Sequence, residues 1–206
     1  MIKNIIFDLG GIIFTIDEKQ AVRRFKEIGL KNADEQLDPY RQSGYFGELE
    51  SGKISAEEFR QELSTNIGHT VTLDDCRYAW TGYVKEVPQI NLDKLISLRE
   101  KGYRLILLTN TNPFMMSWAE SNEFDGKGHP LSYYFDAVYK SYQMKLMKPD
   151  KSCFLYLLRH EKIAPEESLF IDDGPRNVAA AGALGLRTYC PENGLDWTKQ
   201  MDDYLK

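Results

Sequence analysis

Ile5-Ile6-Phe7-Asp8-Leu9-Gly10-Gly11 decides the fold: an apolar run, an aspartate where it stops, and a glycine pair where the chain turns. A short continuous apolar run closed by glycines predicts a strand buried on both faces, because a strand with one wet face would alternate. Two further runs repeat the pattern. Leu105-Ile106-Leu107-Leu108 ends in Thr109-Asn110, and Leu169-Phe170-Ile171 ends in Asp172-Asp173. Ala137-Val138-Tyr139 and Arg187-Thr188-Tyr189-Cys190 are weaker strand candidates. Helical spacings lie between them: Leu92, Leu95, Ile96 and Leu98 before Gly102; Phe154, Leu157 and Leu158 after Pro149-Asp150; Val178, Ala181 and Leu184 before Gly185. The glycines and Pro149 sit where helices stop and start. Buried strands alternating with helices predict an α/β fold, a doubly wound, mainly parallel, Rossmann-like sheet.

Residues 16–87 break the alternation. Val22, Phe25 and Ile28 share a helix face that ends at Gly29. Ser55-Ala56-Glu57-Glu58 reads as a capping box that opens a helix with Ala56, Phe59, Leu63 and Ile67 on one side. A further helix is expected over 74–83. No strand run is visible, so an all-helical insert is expected at 16–87, hinged at 15–17 and 84–89. Residues 1–15 and 88–206 then make the α/β core. Gly126-Lys127-Gly128-His129-Pro130 reads as a surface loop.

A chain of 206 residues, 42% hydrophobic and 28% charged, has the composition of a globular protein with a buried core. Its net charge of −5 gives no reason to expect nucleic acid or an anionic membrane as partner. Acidity does not exclude an anionic substrate, because a bound cation inverts the local field. Cys76, Cys153 and Cys190 are odd in number and far apart, and are expected to be small buried hydrophobes in a reducing compartment. The opening run lacks a signal-peptide pattern and no apolar stretch approaches a membrane span. A cytoplasmic protein is expected.

In open α/β sheets ligands sit beyond the C-terminal ends of the strands. The residues there are Asp8, Thr109-Asn110 and Asp172-Asp173, with Lys148 in the loop after a fourth run. Each has a plain structural reading as turn former, helix cap or solvated lysine. Together they are harder to dismiss. Three carboxylates in one crevice repel one another unless a cation sits among them, and Mg²⁺ suits a site with few carboxylates and a substrate phosphate. Lys148 would balance the remaining charge. The Thr109 hydroxyl and nearby backbone amides would hold a phosphate at the start of the next helix.

Phe7-Asp8-Leu9-Gly10-Gly11, Leu108-Thr109-Asn110, Lys148-Pro149 and Ile171-Asp172-Asp173, with Asn177 beyond, occur in the order of the four motifs of the haloacid dehalogenase superfamily. The chain resembles that superfamily throughout, with residues 16–87 as a helical cap of the first type, and is similar to its sugar-1-phosphate phosphatase branch. The resemblance implies a magnesium-dependent hydrolase, a phosphatase of a small phosphorylated metabolite such as a sugar phosphate. It implies Asp8 as the nucleophile that becomes an aspartyl-phosphate. Asp8, the Gly10 carbonyl and Asp173 would ligate Mg²⁺, with Asp172 as a further or water-mediated ligand. Thr109 and Asn110 would bind phosphate, and Lys148 would steady both nucleophile and phosphate. Asn177 either orients Lys148 or the metal's water shell, or is a plain helix residue.

The resemblance also exposes a departure. Most phosphatases of the superfamily carry an acid-base aspartate two residues after the nucleophile, where this chain has Gly10. Such a group contributes ~10²–10⁴-fold. Asp17 is a candidate substitute, with a hinge role as its alternative. The rival reading is a non-enzymatic descendant that binds phosphometabolites or a protein. A metal-free dehalogenase is a weaker rival, since it would not need Asp172-Asp173. Tyr45, Phe46, Glu48 and Trp80 are cap candidates for substrate contact, or else cap core and surface.

Overall fold

The computed structural model describes residues 1–37 and 44–205. Strand β1 (Asn4–Phe7) is buried along its whole length. β2 (Thr15–Ile16) leads into helices α1 (Glu18–Glu27), α2 (Ala33–Gln36), α3 (Gly44–Glu50), α4 (Ala56–Ile67) and α5 (Leu73–Trp80), the last prolonged by a 3-10 turn at Thr81–Tyr83. β3 (Val84–Glu86) brings the chain back to α6 (Gln89–Glu100), β4 (Arg104–Thr109) and α7 (Pro113–Ala119). β5 (Ala137–Lys140), α8 (Ser141–Met144), α9 (Lys151–Glu161) and β6 (Ser168–Ile171) follow. α10 (Pro175–Gly182), β7 (Arg187–Tyr189) and α11 (Met201–Tyr204) complete the chain.

The main sheet has the order β5-β4-β1-β6-β7, every pair parallel. Its faces separate by strict alternation. Ile5, Phe7, Leu105, Leu107, Leu169 and Ile171 pack with Leu92, Leu95 and Leu98 of α6. Ile6, Ile106, Leu108 and Phe170 point the other way, onto Phe154, Leu157 and Leu158 of α9 and Ala181 of α10. Both faces are therefore dry, which is why the runs read as continuous. From β1 the chain winds outward to β4 and β5, then crosses to β6 and β7 on the opposite side. Connections leaving β1 and β6 diverge, and a crevice opens between their C-terminal ends.

Helices α1, α4 and α5 close on an aromatic cluster. Phe46 lies 5.4 Å from Phe25, 5.1 Å from Phe59 and 5.6 Å from Trp80, ring centroid to centroid. The cluster reaches across to the sheet domain, where Phe59 meets Phe114 of α7 at 5.7 Å. Ser55 caps α4 with the expected reciprocal bonds to Glu58.

Two expectations are corrected. Residues 16–87 were expected to hold helices alone, yet β3 pairs antiparallel with β2, so the two hinges form one short ribbon. Strands of two and three residues are too short to display a period. The Asn193 side chain prolongs the ribbon edge, accepting from Ile16 N–H at 2.9 Å and donating to Ile16 C=O at 3.1 Å. Cys190, expected to be buried like Cys76 and Cys153, is exposed just past β7, where the strand's burial ends.

Candidate active site

Asp8 is placed by the strand it follows. Its N–H donates to Ile171 C=O at 2.9 Å, which carries the β1–β6 pairing one residue past the strand end and sets Asp8 beside the acidic pair. Gly11 then turns the chain with φ +74, and a Cβ there would stand 2.1 Å from Asp173 Oδ2. Only glycine allows both that conformation and that approach.

Lys148 is the centre of charge. Its ammonium lies 2.9 Å from Asp8 Oδ1 and 2.6 Å from Asp172 Oδ2, with side-chain exposures of 1%, 15% and 0% for Lys148, Asp8 and Asp172. Asn110 holds the lysine's backbone: its Nδ2 donates to Lys148 C=O at 2.8 Å and its Oδ1 accepts from Lys148 N–H at 2.9 Å. Both ends of the Asn110 amide thus face the Lys148 loop. Asp172 also accepts from Gly174 N–H at 2.7 Å and from Asn177 Nδ2 at 3.0 Å. Asp172 and Asn177 together therefore orient Lys148, which leaves Asp173 as the freer carboxylate. Asp173 Oδ2 is buried and has no hydrogen-bond partner.

Electrostatics mark the same group. Burial pushes the Asp8 carboxyl up to about 6, with Lys148 opposing and Asp172 adding to the rise. Burial, then Asp8 and Asp172, push Asp173 up to about 7. Burial disfavours the charge of Lys148, but Asp172 and Asp8 outweigh it and hold the ammonium above its ordinary value. Asp8, Asp172 and Asp173 offer ligand atoms within 4.8 Å of one another. A divalent cation fits this donor set, because it would satisfy the orphaned Asp173 oxygen and balance carboxylates whose charge is disfavoured by burial and by one another.

A cavity of about 650 Å³ opens above these residues, and Gly10, Thr109, Asn110 and Lys148 line it with Asp8 and Asp173. Thr109 is buried, its hydroxyl making one long bond of 3.3 Å to Asn110 C=O. The first amides of α7 are taken by its cap, since Asn112 Oδ1 accepts from Phe114 N–H and Met115 N–H. The opposite wall comes from the helical region. Trp80 lines it, but of the other substrate-contact candidates Phe46 lies in the aromatic core, Tyr45 packs on it at 4.7 Å, and Glu48 is exposed. Asp17 caps α1 through Gln20 N–H at 2.9 Å. Sequence reasoning missed Glu50, Tyr83, Thr111 and Asn112, which also line the cavity. The Trp80 Nε1 and Thr111 Oγ1 atoms there are buried without partners.

The chain belongs to the haloacid dehalogenase-like hydrolases, whose family model matches residues 2–185. It is 46% identical over 201 residues to a D-ribitol-5-phosphate phosphatase of Bacteroides thetaiotaomicron, covering 98% of this chain and 97% of that one. A protein of Porphyromonas gingivalis described as a predicted HAD-like family hydrolase superposes with TM-score 0.95 at 45% identity, over 100% of this chain and 98% of that one. A HAD family enzyme of Bacteroides thetaiotaomicron in complex with magnesium and inorganic phosphate superposes with TM-score 0.89 at 35% identity, over 97% and 98% of the two chains.

Proposed function

We propose that this haloacid dehalogenase-like hydrolase is a Mg²⁺-dependent phosphatase of small polyhydroxylated phosphomonoesters, sugar or polyol phosphates. The observation that carries the reading is Asp8, bound to a buried Lys148 and set beside the unpartnered Asp173 oxygen at the mouth of one crevice. Likeness over nearly its full length to a D-ribitol-5-phosphate phosphatase supports the substrate class.

Asp8 attacks the phosphorus, and the ester oxygen leaves as the aspartyl-phosphate forms. Lys148 holds the attacking carboxylate in line and offsets charge on the phosphoryl oxygens, while Asp172 and Asn177 fix Lys148. Thr109 and the Asn110 backbone offer donors to the phosphate. Asp8, Asp173 and the Gly10 carbonyl would hold Mg²⁺, with Asp172 behind them, and the ion would supply charge stabilisation at the phosphoryl oxygens. Residues 16–87 act as the cap that covers the substrate. An unneeded acidic pair speaks against metal-free displacement of halide.

The test is release of inorganic phosphate from a panel of sugar and polyol phosphates, with Mg²⁺ and with chelator. Turnover should require Mg²⁺ and vanish in Asp8→Asn with the fold intact. Turnover that survives full chelation, or persists in Asp8→Asn, refutes the reading.

A further inference from the structure

Phosphoryl transfer from an alkyl ester needs a proton donor at the leaving oxygen, and hydrolysis of an aspartyl-phosphate needs a base for the water. Gly10 provides neither, and Asp17 spends its carboxylate on the start of α1. Among the described residues the cavity lining holds two carboxyls that no part of the reaction described above uses: Asp150, exposed at the start of α9, and one on the cap side. The second belongs to Glu50, the last residue of α3.

Glu50 is delivered there by the core as much as by the cap. Its carbonyl accepts from Ser141 Oγ at 2.6 Å, and Ser141 Oγ in turn accepts from Thr111 N–H at 2.9 Å. Two residues on, a Cβ at Gly52 would meet the Tyr142 carbonyl oxygen at 2.1 Å, so this end of the cap is seated directly on the start of α8. The Asn112 side chain stands close enough to that of Glu50 to favour its charged form. Asn112 is itself fixed, because its oxygen caps α7. The Ser141, Tyr142 and Asn112 contacts with this segment all cross from cap to core.

We infer that Glu50 is the acid-base residue of this enzyme, reaching from the cap to the position that Gly10 leaves empty. In the first step Asp8 Oδ bonds to phosphorus and the P–O ester bond breaks. The leaving oxygen takes the Glu50 proton and departs as the alcohol. In the second step the Glu50 carboxylate takes a proton from water as the water oxygen bonds to phosphorus. The bond to Asp8 breaks, releasing phosphate and restoring both carboxyl groups. The environment suits the role: burial, with Asp8 adding to it and Asn112 opposing, pushes the Glu50 carboxyl up to about 8. Both chemical steps then require the closed cap.

This inference rests on the phosphatase reading, and the experiment separates the two. The variant Glu50→Gln keeps size and a carbonyl oxygen beside Asn112. Pre-steady-state and steady-state kinetics are followed with Mg²⁺ on two esters, the best alkyl phosphate of the panel and p-nitrophenyl phosphate, whose leaving group needs no proton. For the alkyl ester kcat/KM should fall ~10²–10⁴-fold. For p-nitrophenyl phosphate it should change less than about tenfold, with a burst of nitrophenolate and accumulated phosphoenzyme because the second step has lost its base. Adding Gly10→Asp to Glu50→Gln should restore alkyl turnover, since a Cβ at Gly10 comes tight only against the flexible tip of Ile16, at 3.1 Å, with Phe14 at an ordinary 3.6 Å. If the double variant does not fold, the two-ester comparison decides alone. Equal falls in kcat/KM for both esters, or no fall, overturn the role of Glu50 while leaving the phosphatase standing. A wild-type protein that cleaves neither ester overturns both.

Discussion

Replacing Lys148 by alanine tests whether the charge cluster is as dry in solution as its geometry implies. The ammonium serves two carboxylates at 2.9 and 2.6 Å, and neither Asp172 nor Lys148 exposes more than 1% of its side chain. Breaking a buried ion pair by removing one partner costs about 3–5 kcal/mol. Here one removal breaks two pairs and also takes away a cation that lies over the Phe170 ring, 5.5 Å from its centre. The upper end, about 5 kcal/mol, is therefore expected. For a domain of this size each kcal/mol moves Tm by roughly 2–4 °C, so Lys148→Ala should melt roughly 10–20 °C lower in chelator. Mg²⁺ should recover part of the loss and raise Tm more in the variant than in wild type, since it then answers carboxylates with no other cation. Calorimetry with and without Mg²⁺ reads both effects. A variant that melts within about 2 °C of wild type in chelator would refute the argument, because the carboxylates would then be solvated.

Three further outcomes can be checked independently. Gly11→Ala places a Cβ 2.1 Å from Asp173 Oδ2 and should weaken Mg²⁺ binding by calorimetric titration; Gly126→Ala, also at positive φ but in open space, should cost about 1–3 kcal/mol of backbone strain without affecting Mg²⁺. Phe59→Ala should lower stability by about 3–5 kcal/mol in denaturant melts, because that ring joins Phe46 and Trp80 to Phe114; a loss under about 1 kcal/mol would mean the cluster is loosely packed. Asp125 is buried against its charge, yet bonds from the His129 and Lys127 amides, the Tyr134 hydroxyl and the His129 ring hold its carboxyl well below the usual range. A depressed folded pKa contributes stability above the unfolded value and loses it as pH falls, so Asp125→Asn should be destabilised at neutral pH. Its deficit against wild type should shrink as pH drops below about 4 in pH-dependent melts, and a deficit independent of pH would refute the assignment.

The core of the fold was legible because its strands are wetted on neither face. Ile5, Leu107 and Phe170 belong to runs that no helix of this chain would need, and each run stops at the residue that enters the crevice. The helices were legible from their ends, as at Ser55 and Gly102. The β2–β3 ribbon was not, because Thr15-Ile16 and Val84–Glu86 pair only with each other and bury little. The site divided in the same way. Asp8, Lys148 and Asp173 stand at strand ends or in one strand-end loop, a place the sequence marks. Glu50 sits in Gly47-Glu48-Leu49-Glu50, where nothing separates it from its exposed neighbour Glu48. Only the seating of α3 on Ser141 and Tyr142 turns it inward, and that contact joins residues about ninety positions apart.

The ribbon at the hinges has a consequence for how such a protein can change. Thr15 faces Glu86 and Ile16 faces Val84, so the chain leaves the sheet domain and re-enters it through one doorway. Whatever is threaded between the two doorposts leaves the order of the main strands intact. A different set of helices could be spliced in there without re-routing the chemistry-bearing loops, provided it brought its own carboxyl to the opening. On the proposed function, substrate choice and reaction machinery would be separable parts, and Glu50 would be where the exchangeable part must still match the permanent one.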